Sequence, residues 1–361
     1  MRPAAEAGSS KGRHVTRSAR LALAAAGCAA LAAATVATSG SAVAGAAAPS
    51  VGSGTVFKVN PVQSSGNQGL LDGKDADAAA FGPEYATVRL TNLDGSGYLR
   101  GDWANVVSET GTPAFSPTNT FTYRRDDDRF EQVMAYYWVT QAQLYIRSLG
   151  FGTTLPAVNA ESQDVRTNQL GIDNSYSTDH KDFLRFGKGG VDDAEDAEVI
   201  VHEYGHAVHD AQVPGYGTSL EAGSIGEAFG DYLSVTVSES VRAQQGWPLR
   251  AAVTCVADWD STSYTAAPHC LRTLARNKHY PEDVRGEVHA DGEIWSQALW
   301  QIRTALGAYA GDRVILNAQF GFAPDTTFRA AAEKTVATAQ SMYGSVAAAK
   351  VRGAFAARGL L

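Results

Sequence analysis

With 361 residues, 44% of them hydrophobic and 19% charged, the chain is long enough to bury two separate cores. Its formal net charge of −8 excludes a general affinity for nucleic acid or an anionic membrane surface. Three cysteines are too few for a disulfide-framework protein.

The first segment reads as a leader. Arg2, Lys11, Arg13, Arg17 and Arg20 precede an Ala/Leu-rich run over 21–36, and Ala42-Val43-Ala44 offers a small-residue cleavage site. A basic start, an apolar core and a small-residue exit are those of a secretory signal peptide over 1–44. A membrane anchor fits less well, because the apolar run is short and dominated by alanine. Removing the segment takes five basic residues and the acidic Glu6, so the mature chain carries about −12. Cys28 leaves with it. Cys255 and Cys270 remain as an even pair in an oxidising compartment, and a disulfide between them is expected.

Residues 45–84 are rich in Gly, Ser and Ala, with one extended piece at 55–59, and read as a flexible, loosely packed segment. From Tyr85 the side chains alternate, pause at Asp94-Gly95-Ser96-Gly97 and resume at Tyr98-Leu99-Arg100, which predicts a hairpin. Asp126, Asp127 and Asp128 then precede a helix over 129–149, with Phe130, Val133, Met134 and Tyr137 on its apolar face. A further strand pair is expected between 157 and 186, clearest over 182–186, and Gly187 to Gly190 ends it. Beyond residue 212 the pattern is helical: 224–237, 291–306, 326–342 and 346–358. The fold class is therefore α+β. A mixed α/β lobe over 85–212 is followed by an all-α lobe over 213–361.

The chemistry concentrates at His202-Glu203-Tyr204-Gly205-His206. On a helix, histidines four apart stack their rings on one face and can clamp one metal ion, while Glu203 reaches a water without being a ligand. A catalytic zinc needs a third protein ligand and an open fourth position. His209 lies on roughly the same face, but the extended helical motif that would recruit a third histidine needs Gly at 209 and His at 212, where this chain has His209 and Gln212. The better source is Glu227 in Gly223-Ser-Ile-Gly-Glu-Ala-Phe-Gly-Asp-Tyr, one helix and one turn downstream. Asp231, four residues later, can accept the second N–H of His202. The competing reading of both acids, a solvated helix face, sits poorly with Gly223, Gly226, Ala228 and Gly230 around them, which suggest close packing.

Taken together, HEYGH and the segment E-A-G-S-I-G-E-A-F-G-D-Y at 221–232 resemble the gluzincin metallopeptidases, above all the fungalysin and thermolysin-like families. The resemblance covers residues 130 to the C-terminus. It implies the two-lobe thermolysin-like fold with the zinc helix between the lobes. It also implies that His202, His206 and Glu227 bind one Zn2+, that Glu203 is the general base and that Asp231 backs a ligand. Glu287-Val-His289-Ala-Asp-Gly-Glu-Ile-Trp looks like the segment whose histidine stabilises the tetrahedral intermediate, His289 here, just before a helix starting near Asp291. Either Asp283 or Glu287 would orient it. Asn174 looks like the asparagine that holds substrate backbone, and Arg272 like an arginine on a substrate carbonyl.

The expected function is a secreted, monomeric zinc endopeptidase acting on proteins or peptides, without nucleic acid or membrane once the leader is gone. No G-x-M-E-N sequence for gripping a free amino terminus is present, which favours internal cleavage. A zinc-stabilised binding protein for peptide or cell-wall material, and a zinc amidohydrolase on a non-peptide amide, are the alternatives. Two features depart from the resemblance. Little more than thirty residues stand where a long folded pro-region is common. No clear acidic motif supports Ca2+: Asp192, Asp193, Asp196 and Glu198 read as helix-start acids, with Glu198 the one a calcium site could draw on.

Overall fold

The computed structural model describes residues 50–107, 109–178 and 183–361. The expected signal peptide at 1–44, the start of the expected loose segment at 45–49, and Asp182 lie outside the described residues.

Strand β1 (Ser50–Phe57) runs antiparallel to β2 (Tyr85–Leu93), with Phe57 opposite Tyr85 and Gly54 opposite Val88. Asn60 then caps the short helix α1 (Pro61–Ser65), its side chain accepting from the Gln63 N–H. The segment expected to be loose is thus, where described, part of a sheet and of the core. Val56, Phe57, Val59 and Val62 are fully buried, each worth about 1.5–3 kcal/mol of transfer from water. Glycine and serine content concealed those four side chains. The expected hairpin is also corrected. β2 spends its ladder on β1, while residues 98–101 contribute isolated bridges only, Leu93 to Gly101 and Tyr98 to Phe115 among them.

Two short strands, β3 (Ala104–Asn105) and β4 (Thr120–Phe121), lead to helix α2 (Arg129–Ser148), which ends within a residue of its expected limit. Phe130, Val133, Met134 and Tyr137 are buried, as the helical spacing requires. After α2 come β5 (Gln163–Leu170), β6 (Tyr176–Thr178) and β7 (Phe183–Gly187). One sheet has the order β2-β1-β4, the other β3-β5-β7-β6. The strand pair expected before residue 187 is a parallel β5–β7 pair, with β6 added antiparallel as the edge.

Helix α3 (Ala197–Gln212) is started by Asp196, whose side chain accepts from the Glu198 N–H. The turn before it is held by the buried Arg125 guanidinium, 3.0 Å from Glu195. Helix α4 (Leu220–Gln245) outruns its pattern at both ends: Ser219 caps it a turn earlier than expected, and it runs on until Gly246 closes it in the left-handed conformation. Strands β8 (Cys255–Val256) and β9 (Arg272–Thr273) form a small antiparallel pair. The chain closes with α5 (Val288–Leu306), α6 (Ala308–Gln319), α7 (Phe328–Tyr343) and α8 (Ser345–Ala356). Of these α6 was not foreseen, since only Gly307 separates it from α5.

The architecture is α+β, sheets with α2 in the first part and helices in the second. α3 lies between them, packed on α2, α4, β6 and β7. α3 and α4 meet backbone to backbone: a Cβ on Gly205 would lie 2.9 Å from the Gly230 Cα. That approach brings α4's acids within reach of α3's histidines.

Candidate active site

His202 and His206 stack along α3 with ring centroids 4.9 Å apart and their Nε2 atoms 3.2 Å apart. Glu227 faces both from α4, Oε2 at 3.2 Å from His202 Nε2 and Oε1 at 3.6 Å from His206 Nε2. Bonds of about 2.0–2.1 Å in a tetrahedron place ligand atoms roughly 3.3 Å apart, so this His2Glu set fits Zn2+ in both donor chemistry and spacing. Electrostatics divide the two rings: burial would lower His202, but Asp231 and Glu227 hold its imidazole up to about 10 in the metal-free chain. Burial pushes the His206 imidazole down to about 4, which keeps it a neutral donor. Burial would raise Glu227, but the facing His206 and His202 hold its carboxyl far below the usual range.

His202 is backed by Asp231, whose Oδ1 accepts from Nδ1 at 2.9 Å. Asp231 also accepts from Arg272 Nε and Nη2, each at 2.7 Å. Although burial opposes it, the guanidinium and His202 hold the Asp231 carboxyl down to about 2. Both acids are thus engaged with α3, not solvated.

Glu203 lies beside the ligands and outside their set. Its Oε2 is buried without a partner, and Ser177 of edge strand β6 lines the cleft beside it. Burial pushes its carboxyl up to about 7, against the pull of His202. His289 lies across the cleft, half-exposed, with Nε2 3.3 Å from Glu227 Oε2. Its Nδ1 is 2.5 Å from Glu287 Oε1, and Glu287 also caps α5 by accepting from the His289 and Ala290 N–H groups. The helix therefore begins at Val288 rather than near Asp291, and His289 sits in its first turn. Asp291 instead accepts from the Arg285 and Gly286 N–H groups. Glu287 is the partner of His289; Asp283 binds the His279 N–H.

Ligands, Glu203, Glu227 and His289 line one cleft of about 880 Å3, with Asn174 and Arg272 on its walls. Asn174 belongs to the loop between β5 and β6. Arg272 commits its guanidinium to Asp231, an anchoring role that sequence reading did not foresee. Cys255 and Cys270 are bonded, Cα atoms 5.6 Å apart, tying β8 to the approach of β9 and so holding Arg272 in place. His209 is buried, stacked on Tyr216 at 3.7 Å, and takes no part in the ligand set. Glu198 spends its carboxylate on Gln63 Nε2 and the Ala257 N–H. Ser177, Asp173, Asp193 and Asp260 also line the cleft and were missed as site residues; nothing local marks them, because three separate stretches of chain supply them.

Residues 187–318 match the model of the fungalysin metallopeptidase family. That segment runs from the end of β7 into α6 and holds His202, Glu203, His206, Glu227, Asp231 and His289. No curated protein matches the chain. Among solved structures, the fold is similar to the precursor of protealysin, a metalloproteinase from Serratia proteamaculans, with a TM-score of 0.50 and 18% sequence identity. The similarity covers 63% of this chain and 78% of that one.

Proposed function

We propose that this chain, similar to the fungalysin metallopeptidases over 187–318 and to protealysin in fold, is an exported zinc endopeptidase using Glu203 as general base. The observation that carries this reading is Glu203 itself. A buried carboxylate with one oxygen unpartnered stands beside a convergent His2Glu set in an open cleft, where a purely structural metal site needs no base.

His202, His206 and Glu227 would hold the zinc, which when bound acidifies a water and polarises the peptide carbonyl. Glu203 takes the proton of the attacking water at its free oxygen and passes it to the leaving amine. With Glu287 on Nδ1, the His289 ring presents Nε2–H to the oxyanion of the tetrahedral intermediate, a donor worth about 2.7–4 kcal/mol of barrier. Asn174 and Arg272, both on the cleft walls, would meet substrate backbone, Arg272 from its anchor on Asp231. Asp231 fixes the His202 ring and the metal with it.

Export rests on the N-terminal sequence and the disulfide pair. Among the described residues no helix is long and apolar enough to cross a membrane. Metal analysis and cleavage-site mapping on a denatured protein test the whole reading. One zinc per chain, internal cuts, loss with chelator and recovery with zinc are expected. Cleavage indifferent to chelator, or release of terminal residues alone, would overturn it.

A further inference from the structure

Beyond the metal ligands the cleft has a wall that the proposed chemistry does not use. Asp173 from the β5–β6 loop, Asp193 from the turn before α3 and Asp260 from the turn after β8 bring carboxylate oxygens within 4.8 Å of one another. All three line the same cleft as Glu203 and Arg272. Asp173 is exposed at the mouth, while Asp193 and Asp260 are 3% and 4% exposed at the base. One oxygen of each buried acid is used: Asp193 Oδ2 accepts from Ser175 Oγ, and Asp260 Oδ2 from the Tyr264 hydroxyl. The other oxygen, Oδ1 in both, is buried with no partner.

The recess is built to be acidic. Gly190 adopts φ +76°, and a Cβ there would lie 2.3 Å from Asp173 Oδ2, so the absence of a side chain is what admits that carboxylate. Burial is the largest influence on Asp193 and Asp260, and the charges acting on them are negative: Asp173 and Asp196 on both, and Asp193 on Asp260. Burial pushes Asp173 up to about 6 and Asp193 up to about 7, and raises Asp260 well above the carboxylate range. Such a group of acids holds protons until a cation replaces them. The recess is close to the reaction, because Asp193 acts on the Glu203 carboxyl and Tyr264 on the Arg272 guanidinium. Val199 and Leu271 line the adjoining cleft and offer apolar surface to an alkyl stem.

We propose that this recess is a specificity subsite that takes the side chain of a lysine or arginine flanking the scissile bond. The stem lies along Val199 and Leu271 and the charged head among Asp173, Asp193 and Asp260. The inference rests on the peptidase reading above and supplies its substrate class: proteins cut beside basic residues. An acidic recess opening into the substrate cleft meets the substrate's cations first, and a lysine or arginine brings both the charge and the reach.

The test uses the zinc-loaded chain. Cleavage sites mapped on denatured proteins are expected to show lysine and arginine enriched at one position flanking the cut. Two quenched peptides differing only in Lys or Leu at that position then give a ratio of kcat/KM. That ratio is expected to favour lysine and to fall about tenfold or more in D260N. D173N, at an exposed position where folding is not at risk, is expected to lower it in the same direction. Cleavage with no basic preference, or a ratio unmoved in both variants, overturns the subsite alone. No cleavage of any peptide overturns the peptidase reading and the subsite with it. Calcium that raises the melting temperature of the wild-type chain but not of D260N assigns the recess to a metal and overturns the proposal.

Discussion

Replacing Asp231 by Ala tests how much of the metal site is held from behind. The carboxylate is 2% exposed and accepts from His202 Nδ1 at 2.9 Å and from Arg272 Nε and Nη2 at 2.7 Å each. Alanine accepts from none of these partners. Two effects follow from that geometry. His202 loses the partner that fixes its tautomer and ring, which lowers zinc affinity by about 10–100-fold, or about 1.4–2.7 kcal/mol. Arg272 is left buried and unpaired, which costs about 3–5 kcal/mol of stability. At about 2 °C per kcal/mol for a chain of this length, the metal-free protein melts about 6–10 °C lower. A chelator-competition titration measures the first effect and a thermal melt without metal the second. Zinc affinity within twofold of wild type would refute the claim that Asp231 acts through His202, whatever happens to the melting temperature.

H289Q is expected to lower kcat by about 100-fold with KM little changed, since it removes a donor to charge that develops only in the transition state; an effect confined to KM would reassign the residue to binding. Removing the disulfide as C255S/C270S, which opens a loop of sequence separation 15, is expected to cost about 3 kcal/mol in urea unfolding under non-reducing conditions. An unchanged unfolding midpoint would refute it. Asp258 gives a pH test: it is 1% exposed, neither carboxylate oxygen has a partner, and burial, aided by Asp196, pushes it up to about 8. The folded state then binds the proton more tightly than the unfolded state. Its stability is fully present below the unfolded value near 3.9 and is lost as pH rises through about 8. Above pH 6.5 the depressed His206 and His209 no longer offset this, so the metal-free melting temperature is expected to fall from pH 6.5 to 8, and less steeply in D258N. A rise over that window would contradict the assignment.

What the sequence made legible has a physical pattern. Chemistry confined to one helix, such as His202, Glu203 and His206 at 3.6 residues per turn, needs no tertiary information to place. Glu227 and Asp231 were legible because small residues around them announce a close helix contact, which Gly205 and Gly230 provide. α2 was legible from the spacing of Phe130, Val133, Met134 and Tyr137. Failures came where a partner lies far along the chain. β1, α1 and the turn between them hide four core side chains in a Gly/Ser-rich stretch, and β2 pairs with β1 instead of with the residues after the nearer turn. The cap of α5 moved because Glu287, not the residue before Asp291, receives the first free N–H groups. The acidic recess was least legible. Asp193 sits in a run that also contains the true helix cap, Asp196, while Asp173 and Asp260 lie in turns with no pattern at all.

E203Q tests the central claim most directly, because it changes one oxygen of the base and leaves His202, His206 and Glu227 intact. Zinc content and peptide hydrolysis are measured on the same preparation. The account predicts one zinc per chain, as in wild type, with hydrolysis reduced by about a thousandfold or more. Zinc retained together with substantial hydrolysis would contradict it.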